Sequence, residues 1–190
     1  AEPGALPSPT WPPSPIPQST SLPAIPETVP TAIPPAPVIE QRMVELEYPP
    51  RLRLGDSDFV RLTILPVDDG YTVTTEFSDH QTITQTVQVQ QESGYALAAV
   101  AWLDGVAFEI SPAEEQEYSL VPGQAVTWRW SLQPQQAGRQ RLSITLQLRW
   151  IPLPTSSDLL PRDTVAYSRS LEVQVVSFFG LTRGQAMTGG

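Results

Sequence analysis

The sequence predicts an all-β fold: an antiparallel sandwich of about nine or ten strands, preceded by a Pro-rich extended arm. Three observations carry that expectation. Apolar and polar residues alternate with period two along most of the chain beyond residue 38. Turn-forming Gly, Pro and Asp residues interrupt the alternation at intervals of roughly 8 to 15 residues, the spacing of a sandwich. No segment shows the 3.6-residue period of an amphipathic helix.

The arm comes first. Thirteen of the 22 prolines lie in residues 1–37, a concentration that separates this segment from everything after it. It has few charges and no packing period, so it cannot bury enough apolar surface to offset its ordering entropy. An extended, polyproline-like or disordered segment is expected over residues 1–38, with the sandwich at 39–179 and a tail or juxtamembrane stem at 180–190.

In "MVELEY", Val44, Leu46 and Tyr48 share one face, and Glu45 and Glu47 take the other, outward one. "PPRLRLGDSD" continues with Leu52 and Leu54 inward against Arg51 and Arg53, then breaks at Gly55. "FVRLTILP" turns Val60, Leu62 and Ile64 inward, with Arg61 and Thr63 outward. "DDG" at 68–70 is a turn, followed by a strand that aligns Tyr71, Val73 and Phe77. "HQTITQTVQVQQ" is thinner, with Ile83, Val87 and Val89 on one side and Thr or Gln elsewhere, which predicts an edge strand.

"YALAAVAWLDGVAFEIS" reads as a hairpin, two apolar runs joined by Asp104-Gly105, the pair suited to a type I′ turn. Its first run, Tyr95 to Leu103, is apolar on both faces and is expected to be central. "PAEEQEYSLVPG" is a polar crossing with a short strand near Tyr118. In "AVTWRWSLQP", Val126, Trp128, Trp130 and Leu132 alternate with Thr127, Arg129, Ser131 and Gln133. Beyond the Pro134–Gly138 turn, Leu142, Ile144, Leu146, Leu148 and Trp150 alternate in the same way with Ser143, Thr145, Gln147 and Arg149. Tryptophans interleaved with Thr, Arg and Ser belong on the buried side, so Trp128 and Trp130 are expected in the core rather than on a binding platform. "LPTSSDLLPRD" is a loop, and "TVAYSRSLEVQVVSFFG" is the last strand, aligning Leu171, Val173 and Val175.

Composition excludes several functions. Net charge is −9; setting aside Glu2, Glu27 and Glu40, residues 41–190 carry 11 arginines against 17 acidic side chains. An acidic chain without a basic patch is a poor partner for nucleic acid or an anionic membrane surface. Cys, Asn and Lys are all absent. That removes disulfides, thiolate chemistry, N-glycosylation, Lys–Asn isopeptide cross-links, Schiff-base lysines and the phosphate-binding loop. No apolar run is long enough to cross a membrane as a helix. The opening "AEPG" suits a mature start behind a signal-peptide cut.

Candidate chemistry is sparse. His80, the single histidine, stands in the polar turn "SDHQ" beside Asp79, which reads as a solvated loop histidine in preference to a member of a Ser–His–Asp set. The carboxylates fall in turns (Asp56, Asp58, Asp68, Asp69, Asp104) or at outward strand positions (Glu45, Glu47, Glu109, Glu172), where solvated charges belong. "GDSD" and "VDDG" offer oxygen ligands of the kind calcium takes, though Asp is also an ordinary turn former. No cofactor is expected.

The succession "YPPRLRLGDSDFVRLTI", "VAFEISP" and "TWRWSLQPQQAGRQRLSITL" resembles the extracytoplasmic immunoglobulin-like sandwich domains of bacterial surface and membrane-anchored proteins, over about residues 43–176. The resemblance implies an immunoglobulin-like β-sandwich without the Cys pair of antibody domains, and transfers no catalytic or ligand residues. It implies a non-enzymatic structural or protein-interaction subunit, at the cell surface or in the periplasm and associated with a membrane. Partner proteins are expected along the arm, with Trp11, Ile16, Leu22, Ile25, Val29 and Ile33 as apolar anchors, and along a sheet edge. Phe178 and Phe179, adjacent at the end of the last strand, are expected to approach a membrane or a membrane protein. A carbohydrate-binding or adhesive module is the rival reading, and a hydrolase the third.

Overall fold

The computed structural model describes residues 38–67, 75–156 and 158–177. The arm with its anchors Trp11, Ile16, Leu22, Ile25, Val29 and Ile33, the "DDG" turn with Tyr71 and Val73, and the pair Phe178 and Phe179 lie outside the described residues.

The described chain contains ten strands and no helix: β1 (Val38–Tyr48), β2 (Arg51–Arg53), β3 (Asp58–Pro66), β4 (Gln81–Gln91), β5 (Tyr95–Asp104), β6 (Phe108–Ser111), β7 (Gln116–Ser119), β8 (Val126–Pro134), β9 (Gly138–Pro152) and β10 (Arg162–Val176). They form two five-stranded sheets, ordered β4-β1-β3-β8-β6 and β2-β10-β9-β5-β7, which make a β-sandwich. All pairings are antiparallel except that of β2 with β10, where Arg51–Arg53 runs parallel to Gln174–Val176.

Period-two alternation produces the core. Val44 and Leu46 of β1, Val60, Leu62 and Ile64 of β3, and Trp128, Trp130 and Leu132 of β8 turn inward from the first sheet. Leu142, Ile144, Leu146 and Leu148 of β9, with Leu171, Val173 and Val175 of β10, meet them from the second. Both tryptophans are 0% exposed, as the alternation predicts. Each removes on the order of 200 Å² from water, so this pair is a large part of the apolar burial. Thr127, Arg129 and Ser143 face solvent as expected, while Thr145 is half-buried. The turn at Pro134–Gly138 carries the chain from one sheet to the other, so β8 and β9 belong to opposite sheets. Gly138 takes φ 106° there, a conformation that favours glycine.

β4 is the edge of its sheet, as its thin apolar pattern predicts. β5 is flanked by β9 and β7, so it is an interior strand of its sheet, as expected.

The predicted hairpin at Asp104-Gly105 is not formed. β5 belongs to one sheet and β6 to the other, where β6 pairs with β8. Asp104-Gly105 is instead a corner between sheets, closed by a hydrogen bond from the Phe108 N–H to the Gly105 carbonyl (3.2 Å). Gly105 is not among the glycines with positive φ, so the type I′ geometry is absent. Leu54 also departs from expectation: the chain turns at Leu54-Gly55 and leaves that side chain exposed, while Leu52 is buried.

Candidate functional site

The densest group of ionisable side chains sits on the outer face of the first sheet. β1 contributes Glu45 and Glu47, β3 contributes Arg61, β8 contributes Arg129, and the segment before β4 contributes Glu76 and His80. Strand register brings them together. Glu47 lies directly opposite Arg61, and Arg61 directly opposite Arg129. Facing arginines repel, and Glu76 bridges them, 3.3 Å from Arg61 Nη1 and hydrogen-bonded by Arg129.

Glu45 and Glu47 are not solvated. They are 4% and 1% exposed. Residues 75–80 return over the outer face of β1, and Glu47 Oε1 accepts the backbone N–H groups of Glu76 and Phe77 at 2.8 and 2.9 Å. Its second oxygen lies 2.7 Å from Arg61 Nη2, which also reaches Glu45 Oε1 at 2.9 Å. A carboxylate taken from water needs such partners, because an unpaired buried charge costs several kcal/mol. The Arg129 hydrogen bond holds the Glu76 carboxyl below its ordinary range; partial burial opposes this, and the charges of Arg129, Arg61 and His80 reinforce it.

His80 is likewise not a solvated loop residue. Its side chain is 2% exposed, with Nε2 3.1 Å from Asp58 Oδ1 and Nδ1 3.8 Å from Glu47 Oε1. Its ring packs on Phe77 with centroids 4.7 Å apart. The carboxylates around it are therefore Asp58 and Glu47; Asp79 is not among its hydrogen-bonding or ionic contacts. The ensemble fastens residues 75–80 to the sheet: β3 and the segment before β4 converge on Glu47, and Asp58 holds the end of the loop.

A second buried charge, missed from the sequence, caps the opposite end of β1. Arg42 turns inward with 0% exposure, donating to the carbonyls of Gln124 and Val121 (both 2.7 Å) and pairing with Glu40 at 3.0 Å. It ties the loop before β8 to β1. The available signal was parity: Arg42 shares the face of Val44 and Leu46, where an arginine must find acceptors.

A polar cleft of roughly 700 Å³ lies beside β2, walled by Arg51, Arg53, Asp56, Asp58 and Asp79. Among the described residues no three His, Cys, Asp or Glu side chains converge as a metal site. In the "GDSD" turn, Asp58 Oδ1 is already engaged by His80 and by the Phe59 N–H (2.8 Å). Asp56, Asp104, Glu109 and Glu172 are exposed, as expected; Asp68 and Asp69 lie outside the described residues.

No protein-family model matches the chain, and no curated protein matches it. Among the described residues no helix is long and apolar enough to cross a membrane.

Proposed function

We propose that this chain is a non-enzymatic, immunoglobulin-like structural or protein-interaction subunit of the cell surface, acting within a membrane-associated assembly. Its Pro-rich segment serves as tether or wrapping segment, and Phe178 and Phe179 approach the membrane or a membrane-protein partner. The observation that supports this most is the state of the sandwich where that segment joins it. Val38 and Ile39, at the head of β1, are 67% and 60% exposed, and Val38 pairs with Gln91 at the end of the uncharged strand β4. Apolar side chains held in water beside an open sheet edge are what a protein partner covers.

The ionisable residues support the same reading, because Glu47, Arg61, Glu76 and His80 bind one another and hold a loop. A carbohydrate module would require an exposed aromatic row, whereas Trp128, Trp130 and Trp150 are in the core.

Hydrogen exchange of residues 1–38 tests the proposal, comparing the purified chain with the chain in a native membrane extract. Slower exchange in the extract is expected. Equal, rapid exchange in both would reduce the segment to a plain spacer and remove the assembly.

A further inference from the structure

A sheet edge displays unpaired N–H and C=O groups, and folded proteins blunt such edges with short strands, charges, prolines, bulges or a covering segment. Three of the four edges here are blunted. β6 is four residues long and ends against Pro112. β7 is four residues long, follows Glu114 and Glu115, and carries Glu117, which pairs with Arg149. On the remaining side of the second sheet, β2 covers the end of β10. The uncovered part of β10 has a register irregularity between Val165 and Tyr167 and bears Arg162, Asp163, Arg169 and Glu172.

β4 has none of these devices. It runs eleven residues, QTITQTVQVQQ, without a charge, proline or glycine. Its register against β1 is unbroken from Gln81 to Gln91, and among the described residues nothing pairs with its other side. Beside that edge, between β4 and β10, lies a groove of roughly 470 Å³ lined by Thr86, Val87, Trp150, Arg162 and Val165, of which Val165 is an exposed apolar side chain.

We infer that the β4 edge pairs antiparallel with the β4 edge of a second copy of this chain, about a two-fold axis at Thr86. This rests on reading the chain as an interaction module, and names one of its partners. Charge selects the occupant. A chain of net charge −9 resists self-association through most of its surface, but β4 has no ionisable group to repel its own copy. Sequence fixes the register. With Thr86 opposite Thr86, all eleven residues pair: Thr84 with Gln88, Thr82 with Gln90, Ile83 with Val89 and Gln85 with Val87. Hydroxyls and amides then meet on the outer face, and on the core side Ile83 meets Val89 beside the mixed pair Gln85–Val87; the Thr, Gln and β-branched pairs are favourable across strands. The contact is isologous and closes, so it yields a dimer with a continuous ten-stranded sheet and no fibre.

The cysteine-free chain makes the test direct. Light scattering of the full chain at about 100 μM is expected to read twice 20.8 kDa. Thr86→Lys, which sets two ammonium groups against each other on the axis, is expected to return the mass to a monomer with unchanged circular dichroism. Under mild copper-catalysed air oxidation, Thr86→Cys is expected to cross-link, because directly opposed Cα atoms lie about 4.5–5.5 Å apart, within disulfide reach. Thr84→Cys is expected not to, because the same register separates its two copies by four residues along the strand, about 13 Å. A wild-type monomer, a dimer indifferent to Thr86→Lys, or equal cross-linking at positions 84 and 86 overturns the pairing. A monomer whose residues 1–38 are still protected in the membrane extract overturns the pairing alone and leaves the proposed function standing.

Discussion

Glu47 on β1 and Phe77, thirty positions later, are joined by a hydrogen bond from the Phe77 N–H to Glu47 Oε1 at 2.9 Å, and the same oxygen accepts the Glu76 N–H. One carboxylate thus stands in for a strand partner, satisfying two backbone donors of a segment outside the sheet. Arg61 neutralises it from the neighbouring strand. Loop and sheet are coupled at one buried atom.

Glu47→Ala is expected to destabilise the domain by about 3–5 kcal/mol, since it removes one of the carboxylates paired with Arg61 and strands two backbone donors of the loop. Glu47→Gln, which keeps an acceptor oxygen and loses the charge, should cost less. Urea midpoints for the two variants, with amide exchange at residues 76 and 77, check this. If both variants unfold with the wild-type midpoint, the carboxylate does not hold the loop.

Trp128 and Trp130 should respond differently to phenylalanine. The Trp128 indole donates to the Gln116 carbonyl at 3.1 Å, whereas the Trp130 indole nitrogen is buried without an acceptor. Trp128→Phe loses a hydrogen bond that Trp130→Phe does not, a difference of about 1 kcal/mol in unfolding free energy. Trp130→Ala, by contrast, leaves a cavity and is expected to cost about 3–5 kcal/mol. Denaturant unfolding of the three variants decides the ranking, and an equal loss in the two phenylalanine variants would remove the polar contribution.

Gly105→Ala is expected to cost about 1–3 kcal/mol through overpacking. A Cβ at this corner would sit 2.5 Å from Leu142 Cδ2 and 3.0 Å from Phe108 Cδ2. Gly123→Ala meets no atom within 4 Å, so any loss there comes from backbone conformation at φ 72°. Thermal melts of the pair separate the two causes: relief by a further Leu142→Val change is expected only for Gly105→Ala.

Acid should weaken the domain through Glu76. Its carboxyl is lowered from 4.5, chiefly by the hydrogen bond from Arg129. A depressed carboxylate contributes stability that is present above the unfolded value and lost as pH falls through the folded one. The contribution should therefore be intact at pH 7 and decline below about pH 4.5. Glu76→Gln should flatten that part of the urea-midpoint profile; an acid limb identical to wild type would assign the loss to other carboxylates.

The core was legible in the sequence because alternation is local. Trp128, Trp130 and the β9 row from Leu142 to Leu148 are buried where parity places them, and β4 is an edge because it has few apolar residues to bury. What parity cannot reveal is a contact made from outside the sheet. It places Glu45 and Glu47 away from the core, and they are buried all the same, because a segment thirty residues on lies across Glu47 and Arg61 pairs with both. His80 is buried for the same reason. A partial signal existed: carboxylates on β1 and arginines on β3 and β8 all fall at outward positions of strands that proved to be neighbours. Asp104-Gly105 misled because a tight hairpin and a corner between sheets use the same two residues. β5 takes β7 and β9 as its neighbours, and β6 pairs with β8 in the other sheet.

Among the eight strand pairings of the described residues, only that of β9 with β10 joins consecutive strands. This has a consequence for synthesis. A chain emerging amino end first has all five strands of the first sheet once β8 is made, but the opposing sheet has only β2, β5 and β7 until β9 and β10 arrive. For the interval in which those last strands are made, much of the first sheet lacks its packing partners, and its uncharged β4 margin is open to any passing strand. Late closure of this kind makes for slow folding, on the order of milliseconds to seconds. The nascent chain is therefore most vulnerable to misassembly just before β9 and β10 are added, and a holding chaperone would have its greatest effect in that interval.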